Sequence, residues 1–336
     1  MEAAYRNEAI LTKQTEGGHG LSSSSQPSIM AIMLEHLHLE PGHRVLEIGA
    51  GTGYNAALLH HIVGPEGRVL TVDIDPETAG RARKALKGTR IKVVTADGRE
   101  GHAAGAPYDR IIVTASHDEV PRAWLEQLRP GGLVEAPLRL RGSDSFQLIP
   151  TLRRESDRFR SVSVVVGGFM PLRAASRDLS PYWPTLNASR FDAAKSRPIL
   201  SLYGEAVRTL SAAAARRLLA VGLSEPRARR LSVRPSWDSF GVFFAATAPT
   251  SRLVGAMNEK EFSAGLVSRD GRSLALLAGW RLINRILCFG TDEAADELEQ
   301  MVEDWKVRGR PGVGDISMSV TFANGRSHIR MRFRGR

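Results

Sequence analysis

Val45-Leu-Glu-Ile-Gly-Ala-Gly-Thr-Gly53, with Tyr54 behind it, decides the fold of the first half of this chain. An apolar run too short for a helix ends at Glu47, opens into three alternating glycines, and gives way at once to a helical pattern over Tyr54 to Ile62. That order is strand, tight loop, helix N-terminus. Glycines admit backbone angles closed to other residues and let a ligand lie against the main chain. A helix start turns unpaired N–H groups toward anything negative. A dinucleotide fingerprint needs Gly-x-Gly-x-x-Gly, whereas here the glycines fall at 49, 51 and 53 with Glu47 ahead of them. The spacing therefore points to a nucleotide-like ligand of another kind.

Outward from this loop the alternation is regular: strand 44–48, helix 54–62, strand 68–73, helix 76–87, strand 91–95, strand 109–114, helix 119–128, strand 132–136. Continuous apolar runs such as Val69 to Val72 and Ile111 to Val113 read as buried on both faces, as in a parallel sheet. Asp75-Pro76 supplies a helix cap and first-turn proline, and Arg129-Pro-Gly-Gly132 reads as a helix stop. The pattern is a doubly wound α/β domain, in which ligands sit at the carboxyl ends of the strands. Asp73, followed by Ile74, closes the second strand, where a carboxylate can accept both hydroxyls of a ribose. Asp97, followed by Gly98, closes the third, within reach of an adenine amino group. Each acid alone also fits a helix-cap role, but three acids at consecutive strand ends beside these glycines form one constellation.

Residues 1–24 are polar and glycine-rich, with no core expected; a helix begins near Gln26-Pro27, its apolar residues Ile29, Met30, Met33, Leu34 and Leu37 at helical spacing. After Pro137, Phe146 to Arg153 and Phe159 to Val166 read as an antiparallel pair closing the sheet. Pro171, Pro181 and Pro184 mark a stiff linker. Beyond it come a helix near 205–220, a hairpin Phe262 to Leu277 turning at Asp270-Gly271, a helix 292–307 and a strand 315–323. The expected organisation is a catalytic domain over 1–170, a linker over 171–190, and an additional C-terminal α+β domain over 191–336 that carries no recognisable catalytic motif.

The 336 residues are 42% hydrophobic, ample for a buried core. No apolar run reaches membrane-spanning length and no leader pattern opens the chain, so neither a membrane span nor a signal peptide is indicated. A lone cysteine, Cys288, excludes an internal disulfide and a cysteine-built zinc site, and no metal is expected. It reads as an ordinary core residue in a reducing cytoplasm. Residues 1–150 hold 16 Lys+Arg against 18 Asp+Glu, and the remainder 30 against 18, so the net charge of +10 resides in the second half. A basic half draws acidic partners by long-range steering: nucleic acid, an acidic peptide, or only counterions. No aromatic interleaving of a base-stacking platform accompanies it.

The Glu47-x-Gly-x-Gly-x-Gly pattern resembles that of S-adenosylmethionine (SAM) methyltransferases. Together with Ser25-Gln-Pro27, Asp97-Gly98, Tyr108-Asp-Arg-Ile-Ile-Val-Thr-Ala115 and Leu128-Arg-Pro-Gly-Gly132, residues 18–137 resemble the protein-L-isoaspartate O-methyltransferases. The Ser-Gln-Pro element is more specific than the glycine loop. The resemblance implies a Rossmann-like SAM domain in which Glu47, Gly49, Gly51, Gly53, Tyr54, Asp73, Ile74, Asp97 and Gly98 bind the cofactor and Ser25 contacts the substrate carboxylate. Ser25 also suits a helix N-cap, and His19 and His117 read as loop or cap residues. The family's repair enzymes are compact, whereas this chain adds about 165 residues after the shared region. Four serines precede Gln26, and Pro137-Leu-Arg-Leu-Arg-Gly142 replaces the family's usual ending. These departures resemble an actinobacterial branch that methylates an aspartate in macrocyclised, ribosomally made peptides, the ester then collapsing to aspartimide. That implies a modified, acidic precursor peptide as partner, bound by the C-terminal domain, with no nucleic acid or membrane. General isoaspartyl repair and a nucleic-acid methyltransferase are the alternatives.

Overall fold

The computed structural model describes residues 6–14, 20–140, 143–170, 172, 185–188, 200–258, 262–279 and 281–334. Pro171, Pro181 and Pro184 of the expected linker, and His19, lie outside the described residues. Two compact units emerge: Met1–Leu138 with Gln147–Leu179 and Ile316–Arg334, and Arg139–Phe146 with Ser180–Asp315 and Gly335–Arg336. No described helix is long and apolar enough to cross a membrane.

The first unit opens with β1 (Ile10–Gln14) and β2 (Gly20–Ser24), an antiparallel hairpin inside the stretch for which the sequence offers no core. None is needed: Ile10 and Leu11 are exposed, backbone pairing forms the ladder, and Lys13 ties it down through Asp75 at 2.6 Å and Glu77 at 2.7 Å. There follow α1 (Pro27–His36), β3 (Arg44–Ile48), α2 (Tyr54–Val63), β4 (Arg68–Asp73), α3 (Pro76–Ala85), β5 (Lys92–Thr95), β6 (Tyr108–Val113), α4 (Arg122–Gln127), β7 (Leu128–Glu135), β8 (Leu138–Leu140), β9 (Ser143–Glu155) and β10 (Arg158–Val166). Strands β7-β6-β3-β4-β5 are parallel and adjacent in that order. The chain switches direction of travel across the sheet beside β3, the position where this architecture opens a ligand crevice. α1 and α2 bury Met33, Leu37, Ala56, Leu59 and Val63 against Val45, Val69, Ile112 and Leu133. The helix expected over 119–128 is shorter, Arg122–Gln127. The helix ends at Gln127, and Arg129 to Gly132 lie inside strand β7 rather than in a stop, with Gly131 at φ +75° where the pairing to β6 slips register.

The second unit contains β11 (Thr185–Ala188), β12 (Leu200–Tyr203), α5 (Glu205–Thr209), α6 (Ala212–Gly222), β13 (Arg227–Arg230), α7 (Val242–Thr247), β14 (Leu253–Asn258), β15 (Phe262–Val267), β16 (Ser273–Ala278), β17 (Arg285–Gly290) and α8 (Glu293–Val307). Its seven strands form an antiparallel sheet ordered β11-β12-β14-β15-β16-β17-β13. α6 closes a core of Leu202, Leu218, Val254, Leu274 and Leu276. α8 buries Ala294, Leu298, Val302 and Trp305, a stripe at helical spacing. Cys288 is buried, as its apolar neighbours require, and burial pushes its thiol up.

The chain then returns. β18 (Ile316–Ala323) pairs with the outer edge of β10, and β19 (Arg326–Phe333) pairs with β18 through a two-residue turn at Asn324-Gly325, whose φ values are +50° and +75°. Both central residues at positive φ make the tight hairpin connection that Asn-Gly favours. A single C-terminal domain over 191–336 therefore does not describe the chain: residues 316–334 complete the first unit's sheet, with Val320 opposite Phe159, the Phe322 ring 6.3 Å from the Phe159 ring, and Ile316, Met318 and Val320 buried.

Candidate functional site

The glycine loop leaves β3 at Ile48 and is fastened before it reaches α2. Gly49 N and Ala50 N both donate to Val72 O, at 2.8 and 3.1 Å, and the Thr114 hydroxyl bonds Gly49 O at 2.9 Å. Gly49 sits at φ +101°, and a Cβ there would lie 2.3 Å from Thr114 Oγ1, so only glycine fits. Gly51 points its N–H at Asp73 Oδ2, 3.1 Å away, and the Ser23 carbonyl of β2 passes 3.7 Å from where a Gly51 Cβ would be. Gly53 is the N-cap of α2, at φ +82°. Tyr54 is 53% exposed at the first position of that helix.

Glu47 lies beneath the loop rather than in the open. It is fully buried, and Asn55 Nδ2 on α2 donates to its Oε1 at 2.8 Å, tying strand to helix across the turn. Burial, and to a smaller extent the nearby Asp73 charge, push its carboxyl up to about 7. In register across the sheet, Glu47 is followed by Ile112, Glu135 and Thr151. Glu135 is equally buried, and desolvation pushes it to about 9. Its Oε1 accepts the Thr151 hydroxyl at 3.2 Å and meets His36 Nδ1 at 3.3 Å. Burial lowers His36, so at neutral pH the two form a contact between uncharged groups, not an ion pair.

Asp73 and Ile74, both half-buried, close β4 beside Gly51. Asp73 Oδ1 accepts Asp75 N at 3.0 Å. Asp75 in turn meets Lys13 and the Thr78 hydroxyl, each at 2.6 Å; burial pushes its carboxyl up, but these bonds outweigh it and hold the group at about 2. Asp97 caps a short 3-10 turn and accepts Arg99 N at 3.0 Å, while the Arg99 guanidinium straddles both its oxygens and lowers its pKa. Gly98 is pressed against Ile48, whose Cγ2 would be 2.3 Å from an added Cβ, and its carbonyl accepts Trp124 Nε1 at 2.9 Å. His117 is buried with its ring edge-on to Trp124, centroids 4.9 Å apart. Ser25 is half-buried and immediately precedes Gln26, the N-cap residue of α1, so Ser25 itself does not cap the helix.

The structure thus gathers Glu47, Gly49, Gly51, Gly53, Asp73 and Gly98 around the ends of β3 and β4. Thr114, Trp124 and Lys13 belong to its framework and escape sequence reasoning. Thr114 lies within the quoted Tyr108 to Ala115 stretch, but neither its bond to Gly49 nor the reach of Lys13 to Asp75 has any local signature.

Residues 1–175 match the family described as protein-L-isoaspartate(D-aspartate) O-methyltransferase. A protein-L-isoaspartate O-methyltransferase of Methanopyrus kandleri is 44% identical over 148 residues, 43% of this chain and 65% of that protein. A second such enzyme, from Archaeoglobus fulgidus, is 40% identical over 174 residues, 51% of this chain and 77% of that protein. A solved structure named protein-L-isoaspartate O-methyltransferase superimposes over 98% of this chain and 87% of its own, with a TM-score of 0.53 at 24% identity, a likeness of fold.

Proposed function

Because the chain belongs to the protein-L-isoaspartate O-methyltransferase family, we propose that it transfers a methyl group from SAM to the free carboxylate that an isoaspartyl linkage leaves in a peptide or protein. The observation that carries this reading is the family match over residues 1–175, with the glycine cradle at its centre. The additional unit does not argue against it, since a solved protein of that name superimposes over nearly the whole chain.

The cradle suits SAM. A nucleoside edge would lie along the main chain of Gly49 and Gly51, with Asp73 accepting ribose hydroxyls and Asp97 an adenine amino group, Arg99 yielding one carboxylate oxygen. When bound, SAM supplies an electrophilic methyl on a sulfonium. The acceptor is a carboxylate, ionised at neutral pH with an ordinary pKa near 4, so no general base is required. The protein's work is placement: holding one oxygen in line with the methyl, a proximity effect of roughly 7–11 kcal/mol in favourable cases, with water kept out. Ser25 donates to one carboxylate oxygen and leaves the other to attack. Incubation with SAM and a short isoaspartyl peptide should yield a base-labile methyl ester that releases methanol. Absence of transfer to isoaspartyl peptides of any sequence would remove the proposal.

A second reading keeps the chemistry and changes the acceptor to an aspartate side chain in a macrocyclised precursor peptide. The serine run Ser22 to Ser25 and the segment Pro137 to Gly142 favour it. There the following backbone nitrogen attacks the new ester carbonyl, methanol leaves, and aspartimide forms. Mass spectrometry of a cyclised aspartyl peptide would show gain of a methyl followed by loss of methanol.

A further inference from the structure

The outermost strand of the first unit's sheet, β19, alternates Arg326, His328, Arg330 and Arg332 with Ser327, Ile329, Met331 and Phe333. The basic positions are exposed and the others half-buried, so the four basic side chains share one face. That face continues inward: Arg330 lies opposite Ser319, Ser319 opposite Arg160, and Arg160 opposite Arg153, both of these arginines exposed. Of these six basic residues, only Arg160 has an acidic partner among the described residues, Glu155. β19 ends the strand order, so its outer edge pairs with no described strand. The tight turn closes on the pair Ala323 and Arg326, and alternation from it turns the N–H and C=O groups of Ser327, Ile329 and Met331 outward.

From these features we infer that β19 is a docking strand for an acidic peptide segment, which adds to the open edge in extended form with a carboxylate at every second residue. The inference rests on the reading above that the substrate is a peptide, and it names the kind of sequence that flanks the reacting residue. In an extended chain alternate side chains fall on one face about 6.7 Å apart, the spacing of the basic residues on β19. Strand addition supplies main-chain bonds and leaves selection to alternate side chains. Nucleic acid fits less well, since the exposed face carries no aromatic ring on which bases stack.

The strip is also placed to serve the site. It lies on the sheet face covered by α1, because Arg153 is two residues beyond Thr151, which bonds the Glu135 that meets His36. β19 runs in the same direction as β3, so its Arg332 end points to the edge where the glycine loop lies. Six strand steps separate β19 from β3, roughly 29 Å, which about nine extended residues can span.

The test uses fluorescence anisotropy with the full chain and a labelled peptide of about ten residues alternating Glu and Thr. Saturable binding is expected, weakened roughly tenfold or more in Arg330→Glu with Arg332→Glu, exposed positions where charge reversal leaves the fold intact. The same peptide with N-methylated amides keeps its charge but cannot pair, and should also lose about tenfold. Equal binding by the charge-reversed variant overturns the site. Equal binding by the N-methylated peptide overturns strand addition, and tighter binding of an oligouridylate overturns the choice of partner. Methylation of a neutral isoaspartyl peptide should be unchanged by the two substitutions; its absence in the unmodified chain would count against the proposed function alone.

Discussion

Glu135 shows what a single buried acid does to this protein. Its carboxyl is pushed from an ordinary value of 4.5 to about 9 by burial, so the folded chain retains a proton that the unfolded chain releases above about 4.5. Stability therefore falls as pH rises from that value toward 9, and Glu47, pushed to about 7, acts in the same sense over a narrower window. Glu135→Gln keeps the shape and removes the titration. Urea unfolding at pH 9 should find the variant more stable than the parent by about 2–4 kcal/mol, with little difference at pH 5; parallel pH profiles would refute the assignment. Two further substitutions separate cofactor from substrate. Asp73→Ala should weaken SAM binding by roughly tenfold or more in calorimetry, while Ser25→Ala should leave SAM affinity near that of the parent and lower turnover.

At the level of elements, the strand-loop-helix at Val45 to Val63 was legible because its signal is local: an apolar run, glycines at fixed spacing, a helical period. The loop's fixation was not legible, because Thr114 reaches Gly49 from another strand. Gly49→Ala should cost about 1–3 kcal/mol through its left-handed backbone alone, plus the clash with Thr114. Adding Thr114→Ala should recover only the second part, and thermal melts of the single and double variants would separate the two. The N-terminal hairpin escapes reading for a different reason. Its ladder and its Lys13 tie need no apolar pattern, which is the only kind of signal that polar residues 10–24 withhold. β19 did leave one: Asn324-Gly325 between alternating residues is a strong hairpin cue, lost among the arginines around it.

Across the whole molecule, elements were easier to foresee than their membership. A strand near 315–323 and a helix at 292–307 follow from periodicity, but nothing local says that one belongs to the first unit and the other to the second. Pairing of β18 with β10 spans more than 150 residues of chain, and register between such distant strands is set by packing that no short window contains. Cutting the chain after residue 190, at the domain boundary that the sequence invites, should therefore yield an aggregating fragment. It strips cover from Phe159 and removes Ile316, Met318 and Val320 from the core. At about 1.5–3 kcal/mol for each of four large side chains, the loss matches the entire stability of an ordinary domain, roughly 5–15 kcal/mol. Size-exclusion chromatography of that fragment, beside one with 316–334 joined by a flexible linker, decides the point: a monomeric fragment without the hairpin would contradict it.

The returning hairpin also has a consequence for birth of the chain on the ribosome. Domains ordinarily fold in turn as they emerge, the first before the next is made, yet here the edge of the first sheet is translated after the whole second unit. Until then β10 waits with an open, apolar margin. Translation speed through 180–315 thus sets how long a nascent chain is exposed to chaperones and to its neighbours on the same polysome.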